Sequence, residues 1–179
     1  MADENTAATE NPTFNLQRAY LKDLSLEVPN APHVFLEQKS PAVEVNIGIG
    51  AQKLADTMFE STVTVTVTTK IEDKTVYLVE ATQGGVFEVA NIPTEQLDAL
   101  LGIVCPTMLY PYLRANVADA ITRTTLPPLH LTDVNFQALY QQRQAEAGAN
   151  GEQGAEGNLP NGKAESDSGI ILPPGATKQ

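Results

Sequence analysis

An α+β fold, with helices packed on one face of an antiparallel sheet, follows from two features of the sequence. Between residues 14 and 83 apolar and polar side chains alternate with a period of two in several runs. After Ile92 the apolar spacing changes to the three-and-four pattern of amphipathic helices. Strands that come first and helices that come after segregate into a sheet layer and a helix layer. At 179 residues the chain has the length for one core rather than two.

The first strand covers residues 14–28. Its even positions, Phe14, Leu16, Arg18, Tyr20, Lys22, Leu24, Leu26 and Val28, make one mostly apolar face, and Asn15, Gln17, Asp23, Ser25 and Glu27 belong to the other. Pro29, Pro32 and Pro41 make residues 29–42 a long extended connection that crosses over something rather than a tight turn. Val43, Val45, Ile47 and Ile49 alternate with Glu44, Asn46 and Gly48 in a second strand, followed by an irregular stretch over 50–56. Val63, Val65 and Val67 between threonines form a β-branched third strand. Glu72-Asp73-Lys74 is a hairpin turn. The return strand, 75–83, is expected to end at Gly84-Gly85, where missing side chains permit a bulge or a close backbone approach. Helices follow over 94–104, with Leu97, Leu100 and Leu101 on one stripe, and over 106–124, where Pro106 suits a first turn. The longer helix has the apolar stripe Leu109, Leu113, Val117, Ala120 and Ile121. A last helix, 135–143, carries Phe136, Leu139 and Tyr140.

The ends differ from this middle. Residues 1–12 read as a short acidic tail, 13–143 as the folded domain and 144–179 as a flexible tail. From Arg143 onward there is no aromatic residue, and seven of the 12 glycines lie there among Asn, Gln and Glu. Such a composition buries too little apolar surface to offset its ordering entropy. Residues 170–172 are its one adhesive spot. The N-terminus has neither a basic nor an apolar region of the kind that signals secretion. The most apolar stretch, 99–113, is broken by prolines and too short to span a bilayer. A soluble cytoplasmic protein is the expectation.

Charge and side-chain inventory then exclude classes of function. A formal charge of −11 disfavours nucleic acid and anionic membrane surfaces as partners. Cys105 is alone, so no intrachain disulfide exists, and neither it nor His33 and His130 stand in a metal-ligating or nucleophile-and-base signature. Cys105 is expected to be a buried structural thiol. Gly84-Gly85 does not open a helix as a phosphate cradle would. No catalytic residue, metal site or cofactor is expected. One pattern stands out instead. With Tyr77, Val79 and Ala81 facing the core, Val76, Leu78, Glu80 and Thr82 face outward. If this strand neighbours the first, an acidic patch with Asp23 and Glu27 surrounds an exposed leucine, suited to a basic partner segment. The first strand would also expose an edge unless another chain paired with it.

Several motifs then converge. Asn30-Ala31-Pro32-His33-Val34-Phe35, Gln83-Gly84-Gly85-Val86-Phe87, Cys105-Pro106 to Pro111-Tyr112, and Leu126-Pro127-Pro128-Leu129 to Val134-Asn135-Phe136 together resemble the SecB family in order and spacing over about residues 13–142. Tyr110, Asp133 and Gln137 depart from the residues more usual there, which are Phe, Pro and Asp.

The resemblance implies a four-stranded antiparallel sheet with helices on one face, assembled as a dimer of dimers into a homotetramer through the first strand and the long helix. It implies an ATP-independent chaperone that holds unfolded precursor proteins and delivers them to the SecA translocation motor. The matching positions for SecA binding are Asp23, Glu27, Leu78 and Glu80, the patch already reached by strand parity. Phe35, Met108, Tyr112, Phe136 and Tyr140 are the candidate client contacts, offering apolar surface without demanding one sequence. The alternatives are a SecB-like chaperone of a toxin-antitoxin system and a hydrophobic-ligand-binding protein.

Overall fold

A computed structural model of the protein describes residues 11–151, with side chains described to residue 145. The expected tails lie mostly outside the described residues. Four strands, β1 (Thr13–Glu27), β2 (Ala42–Lys53), β3 (Met58–Ile71) and β4 (Lys74–Ala90), form one antiparallel sheet in the order β1-β4-β3-β2. The connection after β1 therefore spans the sheet from one edge to the other, as its prolines predict. It contains a 3-10 turn, His33–Leu36, pinned by the buried Val34. Asn30 donates to Thr75 O at 2.9 Å and Lys74 pairs with Glu37 at 2.5 Å, tying the connection to the β3–β4 hairpin.

The hairpin turns at Glu72 and Asp73, with Glu72 at φ 53°. Its two strands run longer than the alternation suggests, because β4 continues through Gly84 and Gly85 to Ala90. Close approach, not chain reversal, is the reason for both glycines. A Cβ on Gly84 would lie 2.6 Å from Tyr20 Cζ on one face of the sheet, and a Cβ on Gly85 would lie 2.6 Å from Leu109 Cδ2 on the other. Likewise β2 extends through Lys53, into the stretch expected to be irregular, because it stays paired with β3 as far as Phe59.

The helix layer begins with α1 (Thr94–Ala99), continues through a turn of π-helix at Leu100–Val104 and runs directly into α2 (Cys105–Thr122). Pro106, expected from the sequence at a free helix start, instead directly follows the π turn in a continuous helical run, in which Cys105 N–H bonds to Leu100 O. Leu109, Leu113, Val117 and Ile121 are fully buried and Ala120 nearly so, the stripe expected from spacing. Each of the larger ones contributes about 1.5–3 kcal/mol by burial against β3 and β4. The core they meet is the helix-side row of those strands: Val63, Val65, Val67, Val79, Ala81 and Phe87. Gln83 also points inward and is satisfied by Asn116 Nδ2 on α2, at 2.9 Å. Cys105 is fully buried, and burial pushes its thiol up to about 12. The last helix, α3, runs over Phe136–Gly151, past the expected end at Arg143. Asn135 caps it, its Oδ1 accepting from Ala138 N at 3.0 Å.

Simple parity fails in β1. Pairing with β4 skips a residue at Gln17 and again at Lys22. Phe14 and Leu16 face the helices, opposite Val89 and Phe87. After the first bulge Ala19 and Leu21 do so, opposite Gly85 and Gln83, and after the second Leu24 and Leu26. Arg18 and Tyr20, assigned by alternation to the apolar face, therefore belong to the outer face. Two inserted residues restore the phase, so both ends of the even-numbered pattern are right and its middle is inverted. Val76 departs for the same reason. The β3–β4 register shifts between Thr69 and Lys70, and Val76 is 5% exposed, within the core instead of on the outer face.

Candidate functional site

The outer face of the sheet carries no helix. Its cross-strand rows read Glu27–Leu78–Thr68–Glu44, then Ser25–Glu80–Thr66–Asn46, then Asp23–Thr82–Thr64–Gly48. The four residues expected to bind SecA thus come together on two adjacent strands, with Glu27 directly opposite Leu78. Asp23, Glu27 and Glu80 are exposed and Leu78 is half-buried between them. Glu44, also exposed, extends the acidic surface to the far edge of the sheet. Sequence reading missed it; its parity with Asn46 was visible, but only the strand order puts β2 in the same surface.

At the other end of this face Glu60 is 5% exposed yet fully engaged. Lys22 Nζ donates to its two oxygens at 2.7 and 2.9 Å, and Tyr20 OH and Gln52 Nε2 also donate to it. The Tyr20 ring reaches Glu60 by lying over Gly84, so the network links β1, β3 and β2 across the bare backbone of β4. Burial raises the Glu60 pKa, but the donors from Lys22, Tyr20 and Gln52 outweigh it and hold the carboxyl below its ordinary value. The hydrogen bond to Glu60, with burial and the carboxylate charge, pushes Tyr20 up to about 12. A depressed carboxyl gives stability that is present above its unfolded pKa and lost as pH falls through the folded value. A raised phenol gives stability present below about 10 and lost as pH rises toward about 12. Tyr20→Phe is expected to flatten the alkaline loss of stability between those values, and Glu60→Gln the acid loss below about 4.5. Urea unfolding across pH checks both; parallel pH profiles for wild type and variants would reject the coupling.

The helix-side face of β2 offers a different surface. Val43, Val45, Ile47 and Ile49 lie on it, opposite Thr69, Val67, Val65 and Val63. Val43 is 44% and Val45 40% exposed, because α2 packs over β3 and β4 and stops short of the edge strand. Backbone groups along the outer side of β2 have no strand partner among the described residues. Each end of this strip opens into a cleft. One, of about 210 Å³, is lined by Pro41, Val43, Val76, Tyr77, Leu126 and Leu129. The fully buried Thr69 hydroxyl lies at its wall without a hydrogen-bond partner. The other cleft, of about 350 Å³, is lined by Ile49, Gly50, Leu101, Gly102, Tyr140 and Arg143. The strip was legible as a strand but not as a site, since nothing local marks β2 as an edge.

The expected client residues divide. Phe35 on the 3-10 turn is 46% exposed, and Met108 and Tyr112, one turn apart on the outward side of α2, are 37% and 51% exposed. Tyr140 is half-buried at the cleft beside Ile49, its ring on Gly102 and its hydroxyl donating to Asp98. Phe136 is a correction. At 3% exposure it is core, set edge-to-face against Tyr110 at 5.5 Å, because the cap at Asn135 turns the first residue of α3 inward. Among the described residues there is no metal-ligating cluster, and no helix is long and apolar enough to cross a membrane.

Comparison with known proteins agrees with this architecture. A SecB-like chaperone of Mycobacterium tuberculosis, solved in complex with a peptide from an antitoxin, superposes with a TM-score of 0.56. It is 19% identical and covers 68% of this chain and 90% of its own, a likeness of fold. Two relatives carry the name protein-export protein SecB. That of Bordetella petrii is 69% identical over 179 residues, covering 99% of this chain and 98% of its own length. That of Herminiimonas arsenicoxydans is 54% identical over 179 residues, covering 100% and 99%. The family model described as preprotein translocase subunit SecB matches residues 7–147, the whole sheet and most of the helix layer, so the chain belongs to the SecB family.

Proposed function

We propose that this protein is an ATP-independent chaperone of protein export, which holds unfolded precursor proteins and hands them to the SecA motor in the cytoplasm. Similarity along nearly the whole chain to relatives named for protein export, 69% and 54% identical, carries the reading. The geometry supports the holding half: an apolar strip beside free strand-edge groups suits extended chains of many sequences, since backbone pairing gives affinity without selecting side chains. Phe35, Met108, Tyr112 and Tyr140 supply further apolar contact. The acidic outer face supports the delivery half, with Asp23, Glu27, Leu78 and Glu80 as the SecA-binding residues. No catalytic step is part of this function. The toxin-linked alternative rests on a fold-level likeness alone.

Assembly as a homotetramer follows the same reading. β1 is an edge strand of 15 residues, and Leu21 and Leu24 on it are 42% and 40% exposed, so pairing of two first strands would remove a long unpaired edge. The outward side of α2, with Val104, Met108 and Tyr112, offers the second contact. Sedimentation at micromolar concentration is expected to give four copies; a monomer would overturn the assembly. The function itself is tested by light scattering of a precursor diluted from denaturant. The full chain should suppress aggregation without ATP, and Val43→Glu with Val45→Glu should lose most of that effect while retaining the wild-type thermal transition. Failure of the full chain to suppress aggregation would refute the holding role.

A further inference from the structure

The apolar strip on β2 meets the chain again through α3. Arg143, on that helix, donates from Nη1 to Ile49 O at 2.8 Å, so α3 touches the β2 edge at Ile49, and it ends at Gly151. Residues 152–179 are rich in Gly, Glu, Ala and Pro and contain a single run of three large apolar residues: Ile170, Ile171 and Leu172. Two β-branched residues and a leucine are the side chains of an apolar strand. Pro173 and Pro174 follow, and having no N–H they end any strand pairing beyond Leu172.

Reach is sufficient. Eighteen residues lie between Gly151 and Ile170, and a Gly-rich chain of that length covers about 23 Å root-mean-square. The 12 residues of β2 extend about 40 Å. Fully extended, the same linker spans about 60 Å, longer than the strip.

We propose that residues 170–172 pair with the free edge of the chain's own β2 and set their side chains against Val43, Val45 and Ile47, as a built-in competitor for extended clients. The competitor role rests on the holding function proposed above. Three residues closed off by prolines make a weak contact. Tethering offsets that weakness, because joining a segment to its site through a short linker gives an effective concentration of about millimolar. A longer apolar segment of an unfolded protein displaces it, whereas a short or polar one does not. The tail thus sets a lower limit on what the edge accepts. If it occupies the edge about two-thirds of the time, the apparent Kd for a client rises about threefold.

The test uses the full chain and the triple variant Ile170→Asp, Ile171→Asp, Leu172→Asp, whose changes lie outside the described residues. The amide resonances of residues 43–49 are compared between the two proteins. Each is also titrated calorimetrically with a reduced, carboxymethylated and permanently unfolded model polypeptide. Shifted β2 resonances with about threefold tighter polypeptide binding in the variant are expected. Unchanged β2 resonances would overturn the contact, whether or not the polypeptide binds. Shifted resonances with no binding by either protein would refute the holding function and with it the competitor role, leaving the tail contact in place. A spin label on Ser168→Cys, directed there because Cys105 is buried, should broaden the β2 amides of the same chain. Broadening seen only in an unlabelled copy mixed with the labelled one would overturn the in-chain contact.

Discussion

Gly85→Val is expected to destabilise the protein by roughly 3 kcal/mol, the upper range for forcing atoms into a filled core. The new Cβ alone would stand 2.6 Å from Leu109 Cδ2 and 2.9 Å from Phe87 Cε2. Neither neighbour can yield. Leu109 is fully buried in the α2 stripe, and Phe87 is stacked on Phe14 at 5.6 Å between ring centres with 9° between planes. Relief would need α2 to lift from the sheet, opening space around every other side chain of the stripe. Gly84→Ala makes an equally short contact with Tyr20, but that ring lies on the outer face and can swing aside. Its cost should be smaller and should appear as loss of the Tyr20–Glu60 hydrogen bond. Urea unfolding of both variants measures the difference. Adding Leu109→Ala to Gly85→Val should recover part of the loss, and a Gly85→Val protein as stable as wild type would contradict the packing described.

Leu78→Arg and Glu80→Lys are each expected to weaken SecA binding at least tenfold, about 1.4 kcal/mol, with folding and client holding largely intact. Leu78 stands directly opposite Glu27, and Glu80 is one row away opposite Ser25. An arginine at 78 places a cation among carboxylates that would otherwise attract a basic segment, and a lysine at 80 reverses one of them. Neither side chain reaches the helix-side core, because Val79 between them is the residue that does. Glu44→Lys extends the test to the far edge, where a smaller loss is expected. Calorimetric titration against SecA together with the aggregation assay decides the matter. Unchanged affinity in both principal variants would refute the assignment, and lost client holding with intact SecA binding would reverse it.

How far the sequence reveals these surfaces depends on how local their causes are. The valine and threonine alternation of β3 and the α2 stripe are periodic within one element, and both appear in the fold as expected. The β1 bulges are not periodic; an inserted residue has no signature of its own, and only the partner strand shows that Arg18 and Tyr20 face outward. Gly84-Gly85 reads as a strand end because glycine disfavours strands, whereas the cause is a tyrosine and a leucine arriving from elsewhere. The acidic patch survives this because Asp23, Ser25 and Glu27 lie beyond the second bulge, where parity is restored. The β2 strip and Glu44 depend on strand order, which no local pattern encodes.

The burial of Cys105 bears on what an unfolded chain could do to this protein. A thiol attacks only as its thiolate, and with a pKa of about 12 the ionised fraction at neutral pH is on the order of 10⁻⁵. Unfolded polypeptides often present free cysteines of their own, held close to whatever surface retains them. The sole sulfhydryl of this chain is shut away from them, buried within the first turn of α2. Disulfide exchange between holder and held is therefore suppressed, so a cysteine-bearing polypeptide can be released in the same covalent state in which it arrived.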